Sequence, residues 1–197
     1  MKISAEQMLE KFSANKEHAY LVNKYALMIF DGVNSTFGKM SEKNRKMLEC
    51  GALLHDIGYC VEEKNHNKHS QRLILEHELD EFSPKQKEII SCICRYHRGS
   101  LPDKKEHDVY CNLDKKERKT VKRLGGILKI ADGLAHINYI KDIKIKYDEL
   151  NNINEIIITP QDRDFYPDLS YVIKKKDLFE SGFKTQAVFK FVDQNQL

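Results

Sequence analysis

Ionisable side chains recur on helix faces that should otherwise be apolar. Read at a period of 3.6, residues 14–31 carry His18 on the same face as Leu21, Val22, Tyr25 and Ile29. A helix capped by Ser41 runs through Leu48, Ala52 and His55, and Gly58 is suited to end it. Ser83-Pro84 opens another, with proline at its favoured first position and a stripe of Ile90, Ile93, Cys94 and His97. Such stripes face other helices, so three imidazoles from three helices should point into one interior. Asp132 joins from a fourth helix, beside the stripe Leu124, Leu128, Ala131 and Ala135. Buried carboxylates are costly unless paired or bound to a cation, so the bundle must converge on a charged centre.

The remaining elements follow from local signals. A helix is expected over roughly 68–79, and the polar, Pro102-containing segment Gly99–Asp114 reads as a loop. Asp114 with Glu117 forms the capping-box pattern for a long helix reaching about His136. Gly125-Gly126 inside that helix costs it about 2 kcal/mol relative to alanine, which makes sense where another backbone packs closely. From Lys141 the texture changes. Strands are expected at Ile143–Tyr147, Ile156–Thr159, Leu169–Ile173 and Ala187–Val192, with a short helix over Asp177–Phe183. The chain thus reads as mainly α: a helical domain over residues 1–140 and a small α/β appendage over 141–197.

Composition narrows the class. With 41% apolar and 32% charged residues in 197, the chain can bury a core unaided. Its net charge of +3 does not call for nucleic acid, and no specific nucleic-acid partner is expected. No stretch approaches the roughly 18 apolar residues of a membrane span, and Met1–Glu10 lacks the apolar core of a secretory signal. Five cysteines, an odd number mostly within apolar helical pattern, read as free thiols in a cytoplasmic protein. Cys92 and Cys94, about 200° apart on a helix, suit the core better than a shared metal.

The inward set has the chemistry of a metal site. His55 and Asp56 are adjacent, about 100° apart on a helix, so both can touch one ion or Asp56 can bridge two. His69 is the natural further ligand for a second ion. His66 is less well placed, and His77, His107 and His136 read as surface residues. Each histidine taken singly could be an ordinary core residue, but three with two aspartates would leave unpaired polar groups in the core. The mixture of imidazole and carboxylate suits manganese, iron, cobalt or zinc better than magnesium, with one or two ions bound.

These residues resemble a known family. His18, Leu54-His55-Asp56-Ile57-Gly58 and Ala131-Asp132-Gly133-Leu134 are similar to the H…HD…D signature of HD-domain phosphohydrolases. Leu53–Tyr59, Lys68-His69-Ser70, Arg95-Tyr96-His97-Arg98 and Ile130–Leu134 narrow the resemblance to the C-terminal HD region of the exopolyphosphatase/guanosine-pentaphosphatase (Ppx/GppA) family. The tail Lys176–Phe183 resembles that family as well, and the likeness runs from about residue 14 to 191. It implies an HD-type helical bundle with His18, His55, Asp56 and Asp132 on a first metal, and His69 and His97 on a second. The family's exopolyphosphatase chemistry resides in an N-terminal actin-like module that this sequence lacks, so the HD site carries over and the enzyme's name does not. Ala135 stands where the family often has aspartate, so a partner behind the ligands is expected to be missing.

Two functions follow. The first is a metal-dependent phosphohydrolase acting on a nucleotide or another small, polyphosphate-like substrate by metal-activated water. Asp56 would bridge the ions or hold the water, and Lys68, Arg98 and Lys129, with Arg123 as a weaker fourth, would contact phosphate. The second is a non-catalytic module that binds polyphosphate, a nucleotide or a protein partner. Lys115, Lys116, Arg118, Lys119, Lys122 and Arg123 form a basic run that could guide a polyanion, although Asp114 and Glu117 dilute it to an ordinary surface helix. Homo-oligomers are compatible with either function.

Overall fold

A computed structural model describes residues 2–13, 15–38, 40–137, 139–162 and 168–191. Four helix starts are fixed by reciprocal capping boxes, Ser4/Gln7, Ser41/Asn44, Ser83/Gln86 and Asp114/Glu117. They open α1 (Ala5–Phe12), α3 (Glu42–Leu54), α5 (Pro84–Arg95) and α7 (Lys115–Ala135). Between them lie α2 (Lys16–Phe37), α4 (His66–Glu76) and the single turn α6 (Asp108–Cys111), which interrupts the segment expected to be a loop. β1 (Lys2–Ile3) and β2 (Glu78–Leu79) pair in parallel and tie the N-terminal end to the middle of the chain.

α7 is the axis of the molecule. From Leu124 to Ala135 every residue is buried, and the helix touches α2, α3 and α5. An all-round apolar helix of this kind belongs at the centre of a bundle. The helices supply most of the described structure, so the fold is mainly α.

Beyond residue 139 the chain forms β3 (Ile140–Asp148), β4 (Ile153–Pro160), α8 (Ser170–Ile173), α9 (Asp177–Phe183) and β5 (Gln186–Phe191). The sheet order is β3-β4-β5, antiparallel in the first pair and parallel in the second, with Ile145 opposite Ile156 and Ile156 opposite Phe189. The expected strand at Leu169–Ile173 is instead α8. Asp168 accepts the Ser170 backbone N–H at 2.8 Å and so starts a helical turn, and no strand pairs there among the described residues. The strand expected at Ala187–Val192 is β5, apart from Val192, which lies outside the described residues. No helix among the described residues is long and apolar enough to cross a membrane.

The glycine pair in α7 has the backbone neighbour its cost implied. A Cβ on Gly126 would stand 2.5 Å from Cα of Phe179 and 2.6 Å from its nitrogen, so α9 seats directly on the α7 backbone. Neither contact can yield by rotating a side chain. Gly126→Ala should therefore lower stability by about 1–3 kcal/mol, even though alanine is the better helix former. Urea unfolding followed by circular dichroism measures this, and an unchanged or raised stability would contradict the seating of α9.

Candidate metal centre

Local structure aims each side chain before any long-range contact is considered. Asn15 caps α2 by accepting the His18 backbone N–H at 3.0 Å, so His18 lies in the first helical turn. α3 ends at Leu54, and His55 and Asp56 follow at the turn into a short 3₁₀ segment, Ile57–Cys60. That turn is locked onto α4. The Gly58 N–H donates to Ser70 Oγ at 2.9 Å, and the same hydroxyl donates to the His55 carbonyl at 2.6 Å. A Cβ on Gly58 would lie 2.0 Å from the His66 carbonyl oxygen, so only glycine allows this approach. The lock sets His66 against Asp56. His97 arrives just past the end of α5, where Asn67 Nδ2 donates to the Arg95 carbonyl at 2.7 Å.

Three of the rings are oriented in the same way. Nδ1–H of His55 donates to the Ala52 carbonyl at 2.8 Å, that of His66 to Glu63 at 2.9 Å, and that of His97 to Cys94 at 2.6 Å. In each case the acceptor lies three residues earlier. A carbonyl only accepts, so each Nδ1 carries a proton and each ring turns its Nε2 toward the centre.

Among the described residues the donor atoms fall into three overlapping groups, one of them His18, Asp132 and His136, and Asp56 belongs to the other two, with His18 and His55 and with His66 and His97. In the first, His55 Nε2 lies 3.2 Å from Asp56 Oδ2 and 3.8 Å from Asp132 Oδ1, while His18 Nε2 lies 3.8 Å and 3.3 Å from the same two atoms. In the second, Asp56 Oδ1 lies 3.2 Å from His66 Nε2 and 3.5 Å from His97 Nε2, and those two nitrogens are 3.2 Å apart. His136, one turn beyond Asp132, brings Nε2 to 3.7 Å from Asp132 Oδ1 at the exposed rim. Asp132 Oδ2 is occupied separately, by an ion pair with Lys175.

The electrostatics follow from burial and sharing. Burial opposes charge on Asp56, yet His55, His66 and His97 hold its carboxyl far below the ordinary range. Burial also opposes charge on Asp132, and the His18 hydrogen bond and Lys175 outweigh it in the same direction. Desolvation works against a charged His55, but Asp56 and Asp132 push it up to about 9. His97 is driven the other way, to about 3, by burial and then by the charge on His55. Among the described buried polar atoms, His55 Nε2 is one that lacks a properly aligned hydrogen-bond partner.

A cleft of about 380 Å³ opens over these groups, with Asp56, His66, His97 and Asp132 on its floor and Arg98, Lys129, Lys174 and Lys175 on its walls. Of the residues expected at the site, His18, His55, Asp56, His97 and Asp132 are brought together, and Arg98 and Lys129 line the cleft. Lys129 is buried and paired with Asp177 at 2.7 Å. Three expectations need correcting. His69 faces outward and meets Glu62 at 3.3 Å, and the position beside Asp56 and His97 belongs to His66. The cause is the start of α4, which begins at His66, so that His66, Ser70, Leu73 and Ile74 form its buried face. Lys68 lines a neighbouring cleft instead. Arg123 turns to the Gly182 carbonyl and the Phe183 ring on another side of the molecule.

Residues missed by sequence reasoning are His66, His136 and Lys175. His136 was legible as the i+4 neighbour of Asp132. Lys175 is one of three successive lysines, and nothing in that run marks the one that is buried.

Comparison with known proteins decides the family. Residues 2–159 match the family described as Ppx/GppA phosphatase, domain III. The chain belongs to that family. Among curated relatives, the guanosine-5'-triphosphate,3'-diphosphate pyrophosphatases of Aeromonas hydrophila and Aeromonas salmonicida are each 29% identical over 90 residues, which is 46% of this chain and 18% of theirs. The protein of the same name from Pseudoalteromonas translucida is 24% identical over 100 residues, 51% of this chain and 20% of its own length. The chain thus spans about a fifth of the length of these relatives. In this Ppx/GppA domain the matched segment supplies all the candidate ligands, whereas Tyr171, Lys174 and Lys175 lie beyond it.

Lys175 is what balances Asp132 on its far side. In protein stripped of metal by chelator, Lys175→Met should cost about 3 kcal/mol, the penalty for leaving a buried carboxylate without its partner. Chemical denaturation reads this directly, and a variant as stable as the parent would show that the pair contributes nothing.

Proposed function

We propose that this domain is an HD-type, metal-dependent phosphohydrolase that takes a nucleotide or other small phosphorylated compound in the cleft over Asp56. The observation that carries the proposal is the meeting of His66 and His97. Both Nδ1 atoms are spent on carbonyls, so two Nε2 lone pairs face each other at 3.2 Å with a carboxylate oxygen closing the triangle. Three electron-pair donors at this spacing repel unless a cation sits among them. Atoms bound about 2.1 Å from one ion lie about 3.0–3.4 Å apart, close to the separations within this triangle. Fully buried His55 Nε2, with no aligned hydrogen bond and two carboxylates within 3.8 Å, would serve as a ligand in the first group.

His18, His55, Asp56 and Asp132 would hold one ion and Asp56, His66 and His97 a second, with Asp56 bridging. The nitrogen-rich donor set favours manganese, iron, cobalt or zinc over magnesium. Ions held by these residues would supply Lewis-acid chemistry, an acidified water and polarised phosphoryl oxygens. The chain's own cations do the rest. Arg98 and Lys174 on the cleft walls orient the phosphoryl group and offset its charge. Lys175 fixes Asp132 so that only Oδ1 turns inward, and Lys129, neutralised by Asp177, supports that wall.

Relatives named as guanosine-5'-triphosphate,3'-diphosphate pyrophosphatases make phosphorylated nucleotides the first compounds to try. A screen of nucleotides, phosphomonoesters and short polyphosphates with added manganese, iron, cobalt or zinc should give turnover that chelator removes. His66→Ala should abolish it, while His69→Ala should retain it within about threefold, as expected of a residue outside the centre. Metal-independent turnover, or equal loss in the two variants, would overturn the assignment. Tight ligand binding with no turnover under any metal would instead support a binding module.

A further inference from the structure

A second cleft of about 310 Å³ adjoins the first and shares Arg98 and Gly99 with it. Its walls carry Lys64 from the turn before α4, Lys68 from the first turn of α4, Arg95 from the end of α5 and Arg98 from just beyond it, with Asn67 and Ser100 as neutral polar neighbours. No carboxylate lines it, and none of the four cations lies within ion-pairing distance of a carboxylate among the described residues. Glu62 is engaged by Asn65 and His69, and the adjacent Glu63 forms no ion pair with these cations among the described residues. Four like charges around one concavity repel each other, and that cost is recovered when an anion enters.

The backbone keeps this cleft in place. Asn67 ties the chain after α5 through the Arg95 carbonyl, and the same tie sets His97 against Asp56. Arg98 approaches the His66 ring at 3.4 Å, but His66 Nδ1–H is already donated to Glu63, so the guanidinium keeps its donors for a ligand. Cations thus line both clefts, Lys174 in the first and Lys64, Lys68 and Arg95 in the second, with Arg98 shared between them.

We propose that the second cleft is an anion subsite, holding a phosphoryl group of the ligand other than the one over Asp56, with Arg98 as the wall between them. The ligand class is a compound with at least two phosphoryl groups rather than a phosphomonoester on a neutral body. The proposal deepens the phosphohydrolase reading, which places the reacting phosphoryl in the first cleft. Anion binding in the second cleft requires no turnover, so the two readings fail separately.

The test is calorimetric titration of the whole chain in excess chelator, with tripolyphosphate in one arm and a nucleoside 3',5'-bisphosphate in the other. Lys64→Ala/Lys68→Ala removes two exposed ammonium groups and should weaken binding about tenfold or more, the usual worth of charge-assisted contacts. Lys144→Ala/Lys146→Ala removes the same charge from exposed positions of β3 and should change affinity by less than about twofold if binding is local. Selective loss in either arm supports the subsite and tells whether the phosphoryl groups must be contiguous. Equal loss in the two double variants, no loss in either, or no binding by the parent protein overturns it.

Discussion

Asp56 stands at the junction of two histidine groups, and much of the surrounding architecture serves to hold it there. One carboxylate oxygen faces His55 and His18, and the other faces His66 and His97. A carboxylate largely withdrawn from water in this way is stabilised by the positive charge around it. The packing of α4 on the turn after α3, through Gly58 and Ser70, is the mechanical expression of that requirement. If the turn moved by an ångström, the second histidine group would no longer reach its oxygen.

The geometry is built from short-range devices and not from a rigid cage. Each inner imidazole is fixed by a carbonyl three residues earlier in its own chain segment, so ring orientation is decided as soon as the helix end forms. The helices then need only converge. α7 makes this possible because its second half, Leu124–Ala135, is buried throughout, and Asp132, the one acid there, is balanced by Lys175 and His18. Local locks combined with one central helix explain how a small chain sustains a charged interior.

Much of this was legible in the sequence because it rests on periodicity. His18 and His97 lie on apolar stripes and His55-Asp56 closes a capped helix, so their convergence follows from helix packing. Gly125-Gly126 signalled a close backbone neighbour, which proved to be α9. What could not be read depended on where helices begin and on contacts distant in sequence. With a helix expected only from about residue 68, His66 fell before it and His69 near its start, whereas α4 begins at His66 and buries it on one face with Ser70, Leu73 and Ile74. Leu169–Ile173 has strand-like composition, but Asp168 starts a helical turn there. Lys175 meets an aspartate 43 positions away, a pairing that no local pattern encodes.

The proposed centre would give this Ppx/GppA domain a chemistry of its own; its candidate ligands lie within the family-matched segment, and Lys174 and Lys175 lie beyond it. The most direct test is anomalous diffraction from crystals grown with manganese. Two peaks are expected, one on each side of the Asp56 carboxylate, the first touching His18, His55 and Asp132 and the second His66 and His97. No peak beside Asp56, with His66 and His97 sharing a proton between their Nε2 atoms, would contradict the proposal.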